Sequence, residues 1–226
     1  MIKRSVFFLL ATVVFLATVT GRPSTPAKRW VTVAEAGTIS IPFPGPGTPA
    51  SSGGTWTNIA SNSLSAGDTT GWANSTHVQY IPQASLAATG GTQVRITLKP
   101  PAATGSTITG IYIGQCSASF SATSPAFAAT PVQILYGGSG SKTLTAGGAN
   151  QLSDAASFVM PSSNGLCIAW QFTTSSNMPY SAVGSPSGWG ISYKSGADAA
   201  TVAKVSYTNY AAFNGSWLVT LVEELI

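Results

Sequence analysis

The sequence predicts an all-β protein: a single β-sandwich, jelly-roll-like, preceded by a signal sequence and a short N-terminal arm. Three observations carry the prediction. Residues 92–99, TQVRITLK, alternate in character, with Val94, Ile96 and Leu98 on one face and Arg95 and Lys99 on the other. That is a half-buried strand with one wet side. Turn signals rich in glycine and serine recur at 137–141 (GGSGS), 146–148 (AGG), 162–165 (SSNG) and 185–188 (SPSG), and short strands between such signals describe a sandwich or barrel. Finally, no stretch sustains a 3.6-residue apolar period with caps, and no repeat of fixed period argues for a propeller or solenoid.

Taken in order, residues 1–21 open with Lys3 and Arg4 and run without a charge from Ser5 to Gly21. Val19 and Gly21 stand at the −3 and −1 places of a cut before Arg22, which is the layout of a secretory signal peptide. The alternative is a retained membrane anchor, because the apolar run sits at the short limit for spanning a bilayer. Residues 22–54 read as linker and arm. Trp30–Glu35 and Thr38–Phe43 look like two short strands, followed by PGPGTPASSGG at 44–54, whose proline and glycine density marks a loop. The body is 55–226. Its strand candidates after 92–99 are Thr107–Gly114, Pro131–Tyr136, Ser157–Met160, Leu166–Thr173, Trp189–Tyr193, Thr201–Tyr207 and Ser216–Leu225. In the fourth of these, Leu166, Ile168, Trp170 and Phe172 share a face, and Cys167 points the other way.

Charged residues make up 7% of the chain, against roughly 25% in an average soluble protein. Hydroxyls and backbone carry the polarity instead, which suits an extracellular domain or a member of an assembly. The net charge is +4, and the charges are scattered, so no basic patch argues for nucleic acid. Cys116 and Cys167 are the two cysteines. In an oxidising compartment the pair reads as one disulfide, placed on the outer sheet surface or at a strand end. The loop it closes is about 50 residues, worth about 4 kcal/mol in the chain-entropy model. Two buried free thiols are the alternative.

Catalytic chemistry finds little support. His77 is the one histidine, and neither a G-x-S-x-G elbow nor a GDSL-type block is present. A histidine triad is defined by geometry rather than by presence, so no catalytic residue is assigned. Among the acids, Glu223 and Glu224 are adjacent, and neighbours on a strand point to opposite faces, which is unsuited to a glycosidase pair. Asp68, Asp154 and Asp198 sit in polar turns, where an Asx turn is the expected role. Calcium bound by such turns is the alternative to an expectation of no cofactor and no metal.

Aromatics near turns are the stronger lead. Trp56, Trp72, Trp189, Tyr193, Tyr207 and Tyr210 lie close to glycine- or asparagine-rich turns. Flat rings stack on the apolar faces of sugars, while neighbouring polar groups bond to their hydroxyls. Trp72, His77, Trp189, Tyr193 and Asp198 are therefore the candidate ligand-binding residues, although a sandwich tryptophan most often belongs to the core.

Three segments, GWANSTHVQYIP (71–82), PVQILYGGSGSKTLTAGGANQLSDAASFVMP (131–161) and YKSGADAATV (193–202), together resemble a poorly characterised β-sandwich domain of bacterial and bacteriophage surface proteins. The middle segment is also similar to the accessory sandwich of some secreted GDSL-type esterases. The resemblance spans roughly residues 55–226 and implies a jelly-roll-like sandwich with a carbohydrate-binding or adhesive role. No catalytic block follows, so esterase activity does not come with it. The expectation is thus a non-catalytic protein, secreted, periplasmic or at the cell surface, whose partner is a glycan or cell-surface polysaccharide. Two alternatives remain: a structural subunit or decoration protein, self-associating or joining an assembly through its arm, and a hydrolase whose site the fold assembles.

Overall fold

The computed structural model describes residues 54–87, 90–173, 177–195, 206 and 208–226, together with the backbone of 30–31 and 41–42. The chain divides into two units, Met1–Ser52 and Gly53–Ile226. In the first, β1 (Trp30–Val31) pairs antiparallel with β2 (Ile41–Pro42).

The second unit is an all-β sandwich. Its strands are β3 (Trp56–Ser61), β4 (Asp68–Thr69), β5 (Ser75–Ile81), β6 (Gln93–Leu98), β7 (Ser106–Gln115), β8 (Val132–Ile134) and β9 (Ser141–Leu144). They continue with β10 (Gln151–Leu152), β11 (Ala156–Ser157), β12 (Leu166–Phe172), β13 (Met178–Pro179), β14 (Gly190–Ser195), β15 (Ala211–Asn214) and β16 (Val219–Leu225). One sheet runs β10-β6-β16-β3, with β11 also on β6; the larger runs β15-β14-β5-β12-β7-β8, with β9 also on β7. The pairings are antiparallel, and a two-stranded ribbon joins β13 to β4.

Both sheets turn their apolar faces into one core. The smaller sheet contributes Ile59, Val94, Ile96, Leu98, Val219 and Val222; the larger contributes Ile111, Ile113, Leu166, Ile168, Trp170 and Phe172. Each large aliphatic side chain buried here contributes about 1.5–3 kcal/mol. The predicted face of 166–172 is therefore the core face, and Arg95, on the opposite face from Ile96, forms a two-point ion pair with Glu223 at 2.8 and 3.0 Å.

Cys167 leaves the core face as expected and bonds to Cys116, just past the end of β7. That outer surface is not bare. Phe127, Tyr210, Val78 and Ala169 bury both cysteines in a second apolar cluster, against which Tyr80 and Phe120 pack. A register shift in the β12–β7 pairing falls between Trp170 and Gln171, opposite Gly110. Gly110 has φ 72°, which only glycine adopts freely, and this extra residue in β7 lets Ile108 as well as Ile111 face the core.

Several expected boundaries move. The last strand begins at Val219 rather than Ser216, because Leu218 takes φ 63° and turns the chain just before it. Ala156–Ser157 pairs where 157–160 is expected. Residues 201–205 and 207 of the Thr201–Tyr207 candidate lie outside the described residues, as does Asp198.

Candidate functional site

β5 is the centre of the site. Its neighbours are β12 on one side and β14 on the other, and the register places Trp170 opposite His77 and His77 opposite Tyr193. Directly paired residues project to the same face, about 5 Å apart, so three rings form a row across three strands. The His77 ring stacks on Trp170 at 5.6 Å and an interplanar angle of 12°, and lies 6.4 Å from Tyr193 at 24°. Phe172 meets His77 edge-on at 5.5 Å.

Two loops complete the box. Residues 71–74 turn sharply before β5, with Gly71 at φ 87° and Asn74 at φ 46°, and set the Trp72 ring 5.2 Å from His77 and 5.0 Å from Tyr193. Trp72 Nε1 donates to Thr69 Oγ1 at 3.2 Å, and its carbonyl accepts from the Ser75 hydroxyl at 3.1 Å. From the other direction comes Trp217, 5.0 Å from Trp72 and 5.2 Å from Tyr193. Its backbone N–H donates to Gln79 Oε1 at 3.1 Å, and Gln79 Nε2 donates to the carbonyls of Gly190 at 2.8 Å and Gly215 at 3.1 Å. One buried amide on β5 thus pins the Trp217 loop to the edge of β14. Phe213 and Tyr180 extend the aromatic wall, with Phe213 5.4 Å from Trp217.

The outcome is a cleft of about 430 Å³ lined by Trp72, Tyr180, Tyr193, Phe213 and Trp217, with Asp68, Thr69 and Thr70 as its polar rim. Trp72 and Tyr193, both expected from the sequence, meet here. His77 backs the cleft rather than lining it, since its exposure is 0%. Burial pushes its pKa down to about 3, so the imidazole is neutral at physiological pH. Its Nε2 lies 2.9 Å from Ser75 Oγ, a distance that nucleophile–base pairs share. Ser75 is equally buried, however, and Nδ1 has no hydrogen-bond partner among the described residues. This pair lacks both an orienting acid and a path to substrate.

Trp189 stands elsewhere. It is 3% exposed and borders another depression of about 360 Å³ beside Tyr80 and Phe120, which shares Phe213 with the cleft. Tyr210 belongs to the cluster over the disulfide, and Trp56 lies under Arg95, whose guanidinium sits 4.2 Å from the ring centroid. Sequence reasoning missed Trp217, Tyr180 and Phe213. The turn-adjacent criterion that selected Trp72 applies equally to NGSW at 214–217 and would have found Trp217.

Asp68 and Asp154 do not act as simple Asx turns. Asp68 Oδ2 accepts from the backbone N–H groups of Ala102 and Ala103 at 2.8 and 3.0 Å. Asp154 accepts from Gly137 and Gly138 at 3.0 and 2.7 Å and so clamps the GGSGS turn. Both carboxylates tie together segments distant in sequence. Among the described residues no three His, Cys, Asp or Glu side chains gather as a metal site would require. No protein-family model matches the chain, and no curated protein matches it.

Proposed function

We propose that this chain is an exported, cell-surface β-sandwich that binds carbohydrate without transforming it. The observation that supports the reading is the cleft beside β5, in which five aromatic side chains meet a rim of one carboxylate and two hydroxyls. A sugar presents an apolar C–H face and an equatorial belt of hydroxyls. Rigid rings take the first, and Asp68, Thr69 and Thr70 take the second. The box behind the rings is preorganised, so little side-chain entropy is lost on binding. Export rests on the leader read at residues 1–21, and the Cys116–Cys167 disulfide agrees with it, because oxidising compartments sustain such bonds.

A glycan array probed with the full chain tests the reading. Binding to at least one neutral glycan is expected, together with its loss in Trp72→Ala and in Tyr193→Ala variants that still unfold cooperatively. Failure of the wild-type protein to retain any glycan would remove the proposal.

A further inference from the structure

The aromatic cleft does not end at Asp68. That residue also lines a second cleft of about 310 Å³, whose other walls include Leu64, Lys99, Pro100, Asn150 and Pro179. Pro179 lines this second cleft, and its neighbour Tyr180 lines the first. The β4–β13 ribbon, in which Asp68 pairs with Pro179, is thus a wall shared by two adjoining recesses.

The wall is a built polar feature. Asp68 Oδ2 is committed to the N–H groups of Ala102 and Ala103, which fixes the carboxylate against the 102–103 loop. Oδ1 has no hydrogen-bond partner among the described residues and remains an acceptor. In the second cleft, Lys99 Nζ donates to the Leu64 carbonyl at 2.6 Å. An ammonium has three donors, so Lys99 keeps donors for a ligand hydroxyl or ring oxygen. The exposed Asn150 amide adds a further donor and acceptor. The two recesses therefore differ in kind: one offers ring faces, and the other offers hydrogen bonds.

We infer that the ligand is a neutral glycan chain of several sugar units that crosses the Asp68 wall, stacking in the aromatic cleft and hydrogen-bonding in the Lys99 cleft. This inference rests on the carbohydrate-binding reading above. A single sugar would use one recess and leave the other solvated, whereas a chain uses both and turns the second contact into an intramolecular one. Asp68 at the crossing sets the charge preference, because a sugar carboxylate or phosphate placed there meets a like charge.

The test is calorimetric titration of the full chain with neutral glucan, mannan and xylan oligosaccharides of increasing length, from monosaccharide to hexasaccharide. For the series that binds, affinity rises at least about tenfold from disaccharide to tetrasaccharide. Ser65→Trp, a bulky group at an exposed position of the second cleft, should cut that gain to about twofold and leave disaccharide affinity unchanged. If Ser65→Trp proves unstable, Ser65→Tyr takes its place. A flat affinity across lengths overturns the inference while leaving the aromatic cleft as a single-sugar site. A length-dependent gain that survives the blocking variant also overturns it. No binding by any oligosaccharide overturns the carbohydrate reading itself.

Discussion

Acid should unfold this domain through His77, and the size of the effect follows from its burial. The imidazole has zero exposure and five aromatic neighbours, Trp72, Trp170, Phe172, Tyr193 and Trp217. Desolvation lowers its pKa from 6.5 to about 3. A group whose folded pKa lies below its unfolded value takes up protons preferentially on unfolding. Its stabilising contribution is therefore intact above pH 6.5 and is lost as pH falls from there toward 3. One pKa unit corresponds to about 1.4 kcal/mol, so the loss between pH 7 and pH 4.5 is about 3 kcal/mol. Against a typical domain stability of about 5–15 kcal/mol, that is a large share. Urea unfolding of the wild type and of His77→Phe at several pH values isolates the effect, because the carboxylates contribute to both proteins alike. The wild type should lose about 3 kcal/mol more than the variant over this interval. Parallel pH profiles would show that the imidazole is hydrated or charged in the folded state, and the account of the aromatic box would be wrong.

Two further predictions concern the frame around the site. A Cβ on Gly91 would lie 2.1 Å from the Leu225 carbonyl and 2.6 Å from Glu224 Cγ, at a place where the Gly91 N–H already donates to the buried Glu224 carboxylate at 3.0 Å. Gly91→Ala should therefore cost about 1–3 kcal/mol in thermal or urea unfolding, and an unchanged midpoint would mean that this strand edge yields freely. Replacing Cys116 and Cys167 together by serine removes a crosslink between residues 51 apart in sequence, with an expected loss of about 4 kcal/mol. In the exported protein unfolded in denaturant, alkylation before reduction should label neither cysteine, and labelling of both would contradict the pairing.

The parts of this fold that were legible in the sequence are those whose buried face is apolar. In β12 and β6 every inward residue is a hydrocarbon or aromatic side chain, so alternation alone revealed the strand and its face. β5 hid itself because its inward residues are Ser75, His77, Gln79 and Ile81. Only the last reads as core. Gln79 is tolerated because the fold supplies its partners, Gly190, Gly215 and Trp217, all more than 100 residues away. No local pattern announces such partners, and this central strand of the larger sheet is missing from the strand candidates of the sequence. The candidate site followed the same logic. Trp72 and Tyr193 were visible as rings beside turns, whereas their convergence depends on the His77–Tyr193 register and on a loop that Gln79 holds in place.

This arrangement links stability to binding in a specific way. An aliphatic core at this end of the sandwich would be more forgiving, since leucine and isoleucine exchange at small cost. Aromatic rings packed edge to face contribute about 0.5–1.5 kcal/mol per pair beyond their buried area, but only while each keeps its angle. Trp72 meets His77, Tyr193 and Trp217 at once, and it is also partly exposed in the cleft. The same ring therefore closes the core on one side and offers a platform on the other. Its orientation is fixed by packing that exists before any ligand arrives, together with the bond to Thr69. Those contacts are what make the platform rigid, so a change that loosens the core at His77 or Trp170 should weaken the cleft without touching a single residue that lines it.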